Sequence, residues 1–276
     1  MNIGIIGLGL MGGSLGLALK KINTKYHVIG YDHNQKHRQE ALELNLVDEI
    51  YDTLDKMKKC AIIVLTIPVD AIITTIYKLQ DISKDCTIID FGSSKSKISS
   101  SIPTEMRELV VTAHPMTGTE KFGPNAAIDN LYKDKVMVVC DIEKSGELQR
   151  NRAITLFKDI DAKVIFMEAN EHDRHASFIS HMPHAVSFAI ANSVIKQEDA
   201  ENIVALAGGG FKSMSRIAKS SPNMWEDIFR QNRDNLLESI DSFNREMMLC
   251  RKMIESEDWR ALHKWMLEAN SLHDIL

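Results

Sequence analysis

Three short polar segments carry the side chains best suited to chemistry. They are Thr66-Ile67-Pro68, Asp90-Phe91-Gly92-Ser93-Ser94-Lys95 and Ala113-His114-Pro115-Met116-Thr117-Gly118-Thr119-Glu120. A neutral imidazole with a reference pKa of ~6.5 can accept a proton near neutral pH, so His114 is the candidate general base. The Ser93 hydroxyl is suited to hydrogen-bonding both a substrate hydroxyl and a cofactor. These groups predict a site for proton transfer.

A serine, a histidine and an acid also raise the alternative of a hydrolase. No Gly-x-Ser-x-Gly elbow surrounds Ser93, and Asp90 lies in a predicted strand without an evident path to His114. The hydrolase interpretation is therefore disfavoured. Composition alone does not choose between Ser93 and Ser94 as the functional serine.

A glycine-rich loop, Gly7-Leu8-Gly9-Leu10-Met11-Gly12, lies between the first predicted strand and the first predicted helix. In that context the first glycine permits a tight turn, the second admits a pyrophosphate, and the third allows close packing of the helix, whose N-terminus faces the phosphates. The loop therefore predicts a dinucleotide site.

Asp32 follows Gly12 by 20 positions, which is where a ribose-binding carboxylate belongs. A 2′-phosphate ~4 Å away would be repelled by a few kcal/mol at an effective dielectric constant of ~20, before solvent screening. His33 and Asn34 stand where an arginine would accommodate NADP. The prediction is NAD, with Asp32 as a mere turn residue the alternative. The predicted cofactor contacts are Gly7, Gly9, Leu10, Met11, Gly12, Asp32, Thr66, Pro68 and Ser93.

The first half of the chain alternates apolar β-rich runs with helical stretches. Such continuous runs are typical of strands covered on both faces. Candidate helices such as Leu10–Lys21 and His37–Leu44 lie between them. We therefore predict an α/β fold with a doubly wound, mostly parallel sheet of Rossmann type. The predicted strands are Ile3–Ile6, Val28–Tyr31, Ile62–Leu65, Thr87–Asp90, Val110–Thr112, Val136–Val139 and Val164–Phe166.

After Glu168 the pattern becomes helical, which predicts two domains, residues 1–168 and 169–276. Ser221-Pro222 offers an N-cap followed by proline at the first helical position. Apolar residues then recur every three or four positions from Trp225 to Ile254, which predicts one helix of some thirty residues. So long a helix favours a homodimer formed through the C-terminal helices, with an intrachain bundle as the alternative.

Charge and cysteine usage restrict the remaining classes. Thirty-three Lys plus Arg stand against 38 Asp plus Glu, giving a net charge of −5, which disfavours a nucleic-acid groove. The uncharged run Ile3–Leu19 is dense in glycine and shorter than the ~20 residues that a membrane span needs. Four scattered cysteines without a CxxC pair indicate reduced thiols, so we expect a cytoplasmic protein that does not enter a membrane.

Five motifs, in order from Ile3 to about Trp225, resemble those of the prephenate dehydrogenase family. They are GLGLMGGS, DFGSSK, HPMTGTE, SHMPHA and SRIAKSSPNMW. The family oxidises and decarboxylates prephenate, or its amino analogue arogenate, with NAD or NADP on the route to tyrosine. The resemblance therefore implies an NAD-dependent dehydrogenase that releases carbon dioxide, with arogenate as the alternative substrate. The length of 276 residues leaves no room for a fused chorismate mutase, so we expect the catalytic core without that module or a regulatory domain. Competitive inhibition by tyrosine at the pocket is a further expectation.

The resemblance also implies roles for particular residues. It assigns the proton acceptor to His114 and selects Ser93 over Ser94. Arg216 resembles the arginine that holds a substrate carboxylate, a task that suits its planar bidentate donors. The predicted substrate contacts are Arg216, His184, Thr119, Lys212 and Trp225.

The remaining histidine-rich segments raise the alternative of a metal site. His181 and His184 share a helix face, with His172, Asp173 and His175 nearby, but no HExxH or thiolate set supports zinc, so no metal is predicted. By resemblance His181 supports the fold, and Asp173 is expected to orient a helix or a histidine. Trp225 either approaches a partner's active site or forms simple interface core.

Two other functions are weighed against this one. A β-hydroxyacid or imine-reducing dehydrogenase also pairs a glycine-loop domain with helices, but it has no evident need for HPMTGTE and SHMPHA. An NAD-sensing module without turnover is disfavoured because Ser93, His114 and Arg216 are all present.

Overall fold

The computed structural model describes residues 1–22 and 25–275 and contains one eight-stranded sheet in the order β3-β2-β1-β4-β5-β6-β7-β8. All neighbouring strands are parallel except β6 and β7, which are antiparallel. The predicted α/β class with a mostly parallel sheet is therefore confirmed. Strands β1 to β8 span Asn2–Ile6, His27–Tyr31, Glu49–Ile50, Ile62–Leu65, Thr87–Asp90, Val110–Pro115, Val136–Cys140 and Lys163–Met167.

Helices connect the strands and make up the rest of the chain. Short 3-10 turns add to them, and a π-helical turn, Ser177–His181, joins α7 to α8. Helices α1 to α13 span Leu10–Lys20, Gln35–Glu43, Leu54–Met57, Val69–Lys78, Ser96–Ser101, Glu147–Asp159, Ala169–Ala176, Met182–Ile195, Ala200–Ala205, Gly209–Ser215, Pro222–Gln231, Arg233–Glu255 and Trp259–Asn270.

Apolar packing on both faces of the sheet explains the uninterrupted apolar strands. Ile62 and Val64 of β4 belong to a core cluster that includes side chains from α1 and α6. Ile63 and Leu65, which alternate with them, belong to a second cluster that includes side chains from α4. Successive side chains of a strand point to opposite faces, so every residue of β4 is apolar. The carboxyl ends of the central strands are thereby held at one edge of the sheet.

One predicted element is wrong. The apolar periodicity after Ser221-Pro222 predicts a single helix of some thirty residues, but the helix breaks at Asn232, whose φ of −115° and ψ of 35° are not helical. The Asn232 amide donates to the Asp173 backbone carbonyl at 2.6 Å and lies 3.1 Å from Nδ1 of His181. Hydrogen bonds to a distant segment thus outweigh local periodicity. The sequence also gives no strong signal for the two-residue strand β3.

The chain divides into two compact units, residues 1–232 and 233–276. The first holds the sheet and helices α1 to α11, and the second holds α12 and α13, where Nε1 of Trp265 donates to Glu246 at 2.8 Å. The domain boundary expected at residue 168 stays a prediction. Over the described ranges, none of the helices combines the length and apolar character that crossing a membrane requires.

Candidate functional site

The glycine loop follows β1 with a conformation that its residue types require. Gly7 has a φ of +98°, a left-handed conformation that disfavours other residues. Thr66, at the end of β4, donates its hydroxyl to the Gly7 carbonyl at 2.6 Å. A Cβ atom on Gly12 would lie 1.9 Å from that carbonyl oxygen, so only glycine fits there. The predicted contact Thr66 therefore shapes the loop through its side chain.

Gly9 is glycine for a different reason. A Cβ atom placed on it would meet only the Gly123 nitrogen, at 3.9 Å, so packing within the chain does not require glycine. Gly9 is also the N-cap residue of α1, and it has no side chain that could accept a hydrogen bond. The backbone N–H groups at the start of α1, those of Leu10 and Met11, are therefore not capped by a side chain. Open space before an uncapped helix N-terminus fits a diphosphate. Pro68 similarly precedes α4 at the end of β4.

Asp32 is buried at the end of β2 beside this loop. Its two carboxylate oxygens accept from the backbone N–H groups of Leu8 and Asn34, each at 2.8 Å. Nδ1 of His33 lies 3.3 Å from Oδ1 of the same carboxylate, and Nδ1 of His37 lies 3.5 Å from Oδ2. Asp32 is thus held in position by the glycine loop itself, where the ribose of a dinucleotide bound to the loop would come.

His114 lies at the carboxyl end of β6, and its Nδ1 is 2.8 Å from Nε2 of His172. The hydrogen bond between His172 and Asp173 has the same length, with Nδ1 of His172 lying 2.8 Å from Oδ1 of Asp173. His172 and Asp173 are both buried on α7. A carboxylate, an imidazole and a second imidazole therefore form a hydrogen-bonded row that ends at the predicted base.

Lys95 joins the strand ends beneath this row. Its buried ammonium contacts the Asp90 carboxylate at the end of β5 and donates to the Ala113 carbonyl at 2.7 Å. Its backbone N–H donates to Asp173 at 2.7 Å. Burial raises the pKa of Asp90, and the Lys95 charge opposes that effect. Through its side chain Lys95 thus connects β5 to the residue before His114 on β6, and through its backbone N–H it connects both to helix α7.

The surroundings of His114 keep its imidazole neutral. Burial lowers the pKa of His114 well below its ordinary value, and His172, Lys95 and His181 act in the same direction. The residue as a whole nevertheless remains partly exposed. A neutral, accessible imidazole can accept a proton, as the sequence predicts.

The two candidate serines differ in accessibility. Ser93 is partly exposed, whereas Ser94 is completely buried, with a side-chain oxygen that has no hydrogen-bond partner among the described residues. Of the two serines, only Ser93 is accessible to a bound molecule. Its assignment stays a prediction that this geometry supports.

The π-helical turn between α7 and α8 positions two more histidines. His181 is buried, and burial lowers its pKa to about 4. His184 stacks on Trp225, with ring centroids 3.5 Å apart, and its Nδ1 donates to the Ser180 carbonyl at 2.9 Å. The Nε2 atom of His184 is therefore left as an acceptor when the ring is neutral. Nε1 of Trp225 is buried without a protein partner in the described ranges.

Arg216, the predicted carboxylate-binding arginine, lies close enough to His184 to affect its pKa. Arg216 follows α10 in a short 3-10 turn, and its Nη1 lies 3.7 Å from the Glu120 carboxylate. Burial lowers the pKa of His184, and the Arg216 charge adds to that effect. Thr119 accepts from the Lys121 backbone N–H at 3.2 Å, which orders the segment beside Glu120. Lys212, on α10, is exposed.

Residue types alone understate three members of this site. Lys95 and Glu120 occur within motifs but receive no role from the sequence, and His172 enters only as a rival metal ligand. The sequence feature that could have revealed the role of His172 is the adjacent pair His172-Asp173, three residues into a helix and among buried apolar positions. No set of three His, Cys, Asp or Glu side chains within residues 1–22 and 25–275 is arranged to hold a metal ion.

Two family models match consecutive parts of the chain. The model described as prephenate dehydrogenase, nucleotide-binding domain, matches residues 15–166, and the model described as prephenate dehydrogenase, dimerization domain, matches residues 168–268. The prephenate dehydrogenase of Bacillus subtilis is 31% identical over 280 residues, which cover 99% of this chain and 75% of that protein.

Solved structures are similar over nearly the whole length. The prephenate dehydrogenase of Aquifex aeolicus, in complex with hydroxyphenyl propionate and NAD+, matches with a TM-score of 0.92 and 31% identity, covering 99% of this chain and 97% of that one. The arogenate dehydrogenase of Synechocystis matches with a TM-score of 0.82 and 26% identity, covering 99% of both chains.

Proposed function

The chain belongs to the prephenate dehydrogenase family, and from that premise we propose that it converts prephenate to 4-hydroxyphenylpyruvate, with NAD as its cofactor, on the route to tyrosine. The observation that carries the proposal is the neutral, partly accessible His114 imidazole at the end of β6, held by His172. NAD, when bound, supplies the acceptor for the hydride that leaves the ring carbon bearing the hydroxyl. The open space at Gly9 and the carboxylate of Asp32 fit that cofactor.

The chain's own groups perform the remaining tasks. His114 accepts the hydroxyl proton at Nε2, because its Nδ1 is already hydrogen-bonded to His172. As the ring carboxylate leaves as carbon dioxide, the electrons of its bond to the ring complete an aromatic system and leave a phenolate. Aromatisation drives the reaction, so the protein mainly orients the ring, takes up the hydroxyl proton and returns it to the phenolate oxygen. The Ser93 hydroxyl is suited to hold the substrate hydroxyl next to His114.

Arg216 supplies a positive group for a substrate carboxylate. In the ligand-free chain its partner is Glu120 at 3.7 Å, and such an exposed pair contributes only ~0–1 kcal/mol, so a carboxylate can displace it. We expect Arg216→Gln to raise the KM for prephenate by about 10–100-fold, as the loss of one charged hydrogen bond implies, with a smaller change in kcat. A KM equal to that of the wild type would contradict the assignment. His184, Trp225, Thr119 and Lys212 stay predicted contacts at the same pocket.

The direct test offers prephenate and arogenate separately to the purified protein, each with NAD and with NADP. We expect NADH and 4-hydroxyphenylpyruvate to form from prephenate with NAD. The His114→Asn variant, which should still bind NAD, is the matched control for contaminating activity. If neither compound reduces either cofactor, the proposed reaction is wrong. Turnover of arogenate alone would favour the second candidate, which the likeness to the Synechocystis enzyme supports.

We also propose that the protein is a homodimer through its C-terminal helices. The family model over residues 168–268 describes a dimerization domain, and apolar side chains of the second unit, such as Met248, Trp259 and Leu267, are exposed in the isolated chain. Light scattering during gel filtration should give a mass near twice 31.1 kDa. A monomeric mass at assay concentrations would contradict this assembly.

Two further expectations belong with the function. We propose that tyrosine competes with prephenate, because both carry a six-membered ring and a carboxylate. A KM for prephenate that does not change when tyrosine is added would contradict this. We propose a cytoplasmic location, supported by four free thiols. Recovery of the protein outside the cytoplasmic fraction of its own cells would contradict that location.

A further inference from the structure

Asp173 is a carboxylate with three hydrogen-bond donors around it. Its Oδ1 accepts from the Lys95 backbone N–H at 2.7 Å and lies 2.8 Å from Nδ1 of His172, while its Oδ2 accepts from the Ser96 backbone N–H at 2.9 Å. Burial alone would raise the pKa of Asp173, but these hydrogen bonds outweigh burial and lower it. Asp173 is therefore ionised near neutral pH and can only accept.

The direction of every hydrogen bond in the row follows from that charge. Because Asp173 only accepts, Nδ1 of His172 carries the hydrogen, and Nε2 of a neutral His172 is left with a lone pair. The 2.8 Å contact then requires Nδ1 of His114 to donate to Nε2 of His172. Nε2 of His114 is consequently unprotonated and free to accept.

We propose that His172 and Asp173 are positioning residues that hold His114 in the tautomer with an unprotonated Nε2 and tie its ring to the loop that carries Ser93. Neither touches the reacting atoms. The tie to the loop consists of the two backbone hydrogen bonds from Lys95 and Ser96 to Asp173. The kinetic part of this inference rests on the proposed function, because it concerns the base of that reaction.

The arrangement also explains how His114 can hold a proton in a buried setting. When Nε2 takes the proton, Nδ1 continues to donate to His172, whose own donor remains on the Asp173 carboxylate. The imidazolium is thereby stabilised without transfer of a proton to Asp173. The charged and titratable groups that face His114 are Lys95, His172 and His181, with Asp173 behind His172.

Substitutions of His172 separate positioning from folding. His172→Leu removes the acceptor for Nδ1 of His114, whereas the side-chain oxygen of His172→Gln can replace it. We expect His172→Leu to lower kcat by between about tenfold and about 10⁴-fold, the upper figure being the loss typical of a base in the wrong tautomer. We expect His172→Gln to recover most of that loss. His175→Gln, an exposed histidine on the same helix, is the matched control.

The pH profile supplies a readout that a purely structural role would not move. Without its acceptor the His114 imidazolium is less stable, so the acid limb of kcat should shift to lower pH in His172→Leu and remain in place in His172→Gln. A structural loss would lower kcat alike at every pH. Unchanged kcat and an unchanged profile in His172→Leu would overturn the proposal, as would equal losses in the leucine and glutamine variants.

A spectroscopic test requires no substrate. In protein labelled with ¹⁵N-histidine, with the His114 signals identified from the His114→Asn spectrum, we expect a protonated Nδ1 and an unprotonated Nε2 near neutral pH. The opposite tautomer in the wild type would overturn the proposal even if prephenate is turned over. If prephenate is not a substrate but this tautomer is found, only the proposed function fails. If the His172→Leu variant does not fold, the spectra of the wild type and of His172→Gln still show which tautomer His114 adopts and therefore test the proposal.

Discussion

The glycine loop and the histidine row both lie where strands of the sheet end, but they are built on different principles. In the loop, the proposed function depends on backbone atoms and on empty space, in keeping with the positive φ of Gly7 and the open side of Gly9. In the row, His114 depends on side chains that burial and neighbouring charges have altered. The first region is sensitive to shape, and the second to protonation.

That difference predicts different responses to mutation. Changes of the loop glycines should alter cofactor affinity or folding at every pH, because a glycine has no titrating side chain. Changes in the row should alter turnover or stability in a way that depends on pH. The following substitutions test the contrast, beginning with the largest expected effect.

His114→Asn removes the proton acceptor and is expected to lower kcat by about 10²–10⁴-fold, the usual contribution of a general base. The NAD dissociation constant should stay close to that of the wild type, because His114 has no role in the glycine loop. Steady-state kinetics and fluorescence titration with NAD measure the two quantities. Full turnover in the variant would show that His114 is not the proton acceptor. A large loss of NAD affinity would show that the histidine row also affects cofactor binding.

Gly12→Ala and Gly9→Ala form a matched pair within the loop. An alanine Cβ at position 12 would lie 1.9 Å from the Gly7 carbonyl oxygen, so the loop must move, at a cost of roughly 1–3 kcal/mol in unfolding free energy. At position 9 the space is open, so stability should change by less than ~0.5 kcal/mol while NAD affinity falls. Urea unfolding and NAD titration measure both. Normal NAD affinity in Gly9→Ala would show that the space serves another purpose.

Buried His181 predicts that acid destabilises the protein. Its pKa is about 4 in the folded chain and ~6.5 when unfolded, so the unfolded state binds more protons between these values, and stability falls as the pH drops through them. Between about pH 7 and pH 5 the titration of His181 lowers the free energy of unfolding by about 2 kcal/mol.

The variant His181→Asn should lose that part of the pH dependence, because its oxygen can accept from Asn232 without titrating. Urea unfolding of both proteins at the two pH values is the measurement. An equal pH dependence in wild type and variant would show that other groups cause it.

Asp32→Asn tests the one charge that the loop region uses. An asparagine can keep one backbone hydrogen bond, from Leu8 or from Asn34, while removing the repulsion of a 2′-phosphate. We expect the ratio of kcat/KM for NAD over NADP to fall by about tenfold, since solvent screening reduces the direct Coulomb energy to roughly 1 kcal/mol. An unchanged ratio would show that Asp32 does not read the ribose.

The two regions also differ in how far sequence alone predicts them. The glycine loop, β1, α1 and Asp32 lie within 32 residues and follow local rules of spacing, so their placement could be predicted. The row joins β6 to α7 over a separation of 58 residues between His114 and His172. No local periodicity reports such a contact, and the role of Lys95 depends on burial that only the packed sheet creates.

The helix break at Asn232 fails to follow from the sequence for the same reason. The apolar positions before and after it continue one helical period, and asparagine is tolerated within helices at small cost. Only the distant partners of its amide, the Asp173 carbonyl and His181, explain the break.

The π-helical turn Ser177–His181 makes the length of this segment as important as its composition. A π turn accommodates one residue more than an α turn, and each residue of an α-helix corresponds to about 100° of rotation. Without the π turn, the same residues wound as ordinary α-helix would rotate His184 by about that angle away from Trp225. Every side chain would then still be present in the chain, but the stacked pair would be lost by a change of register alone.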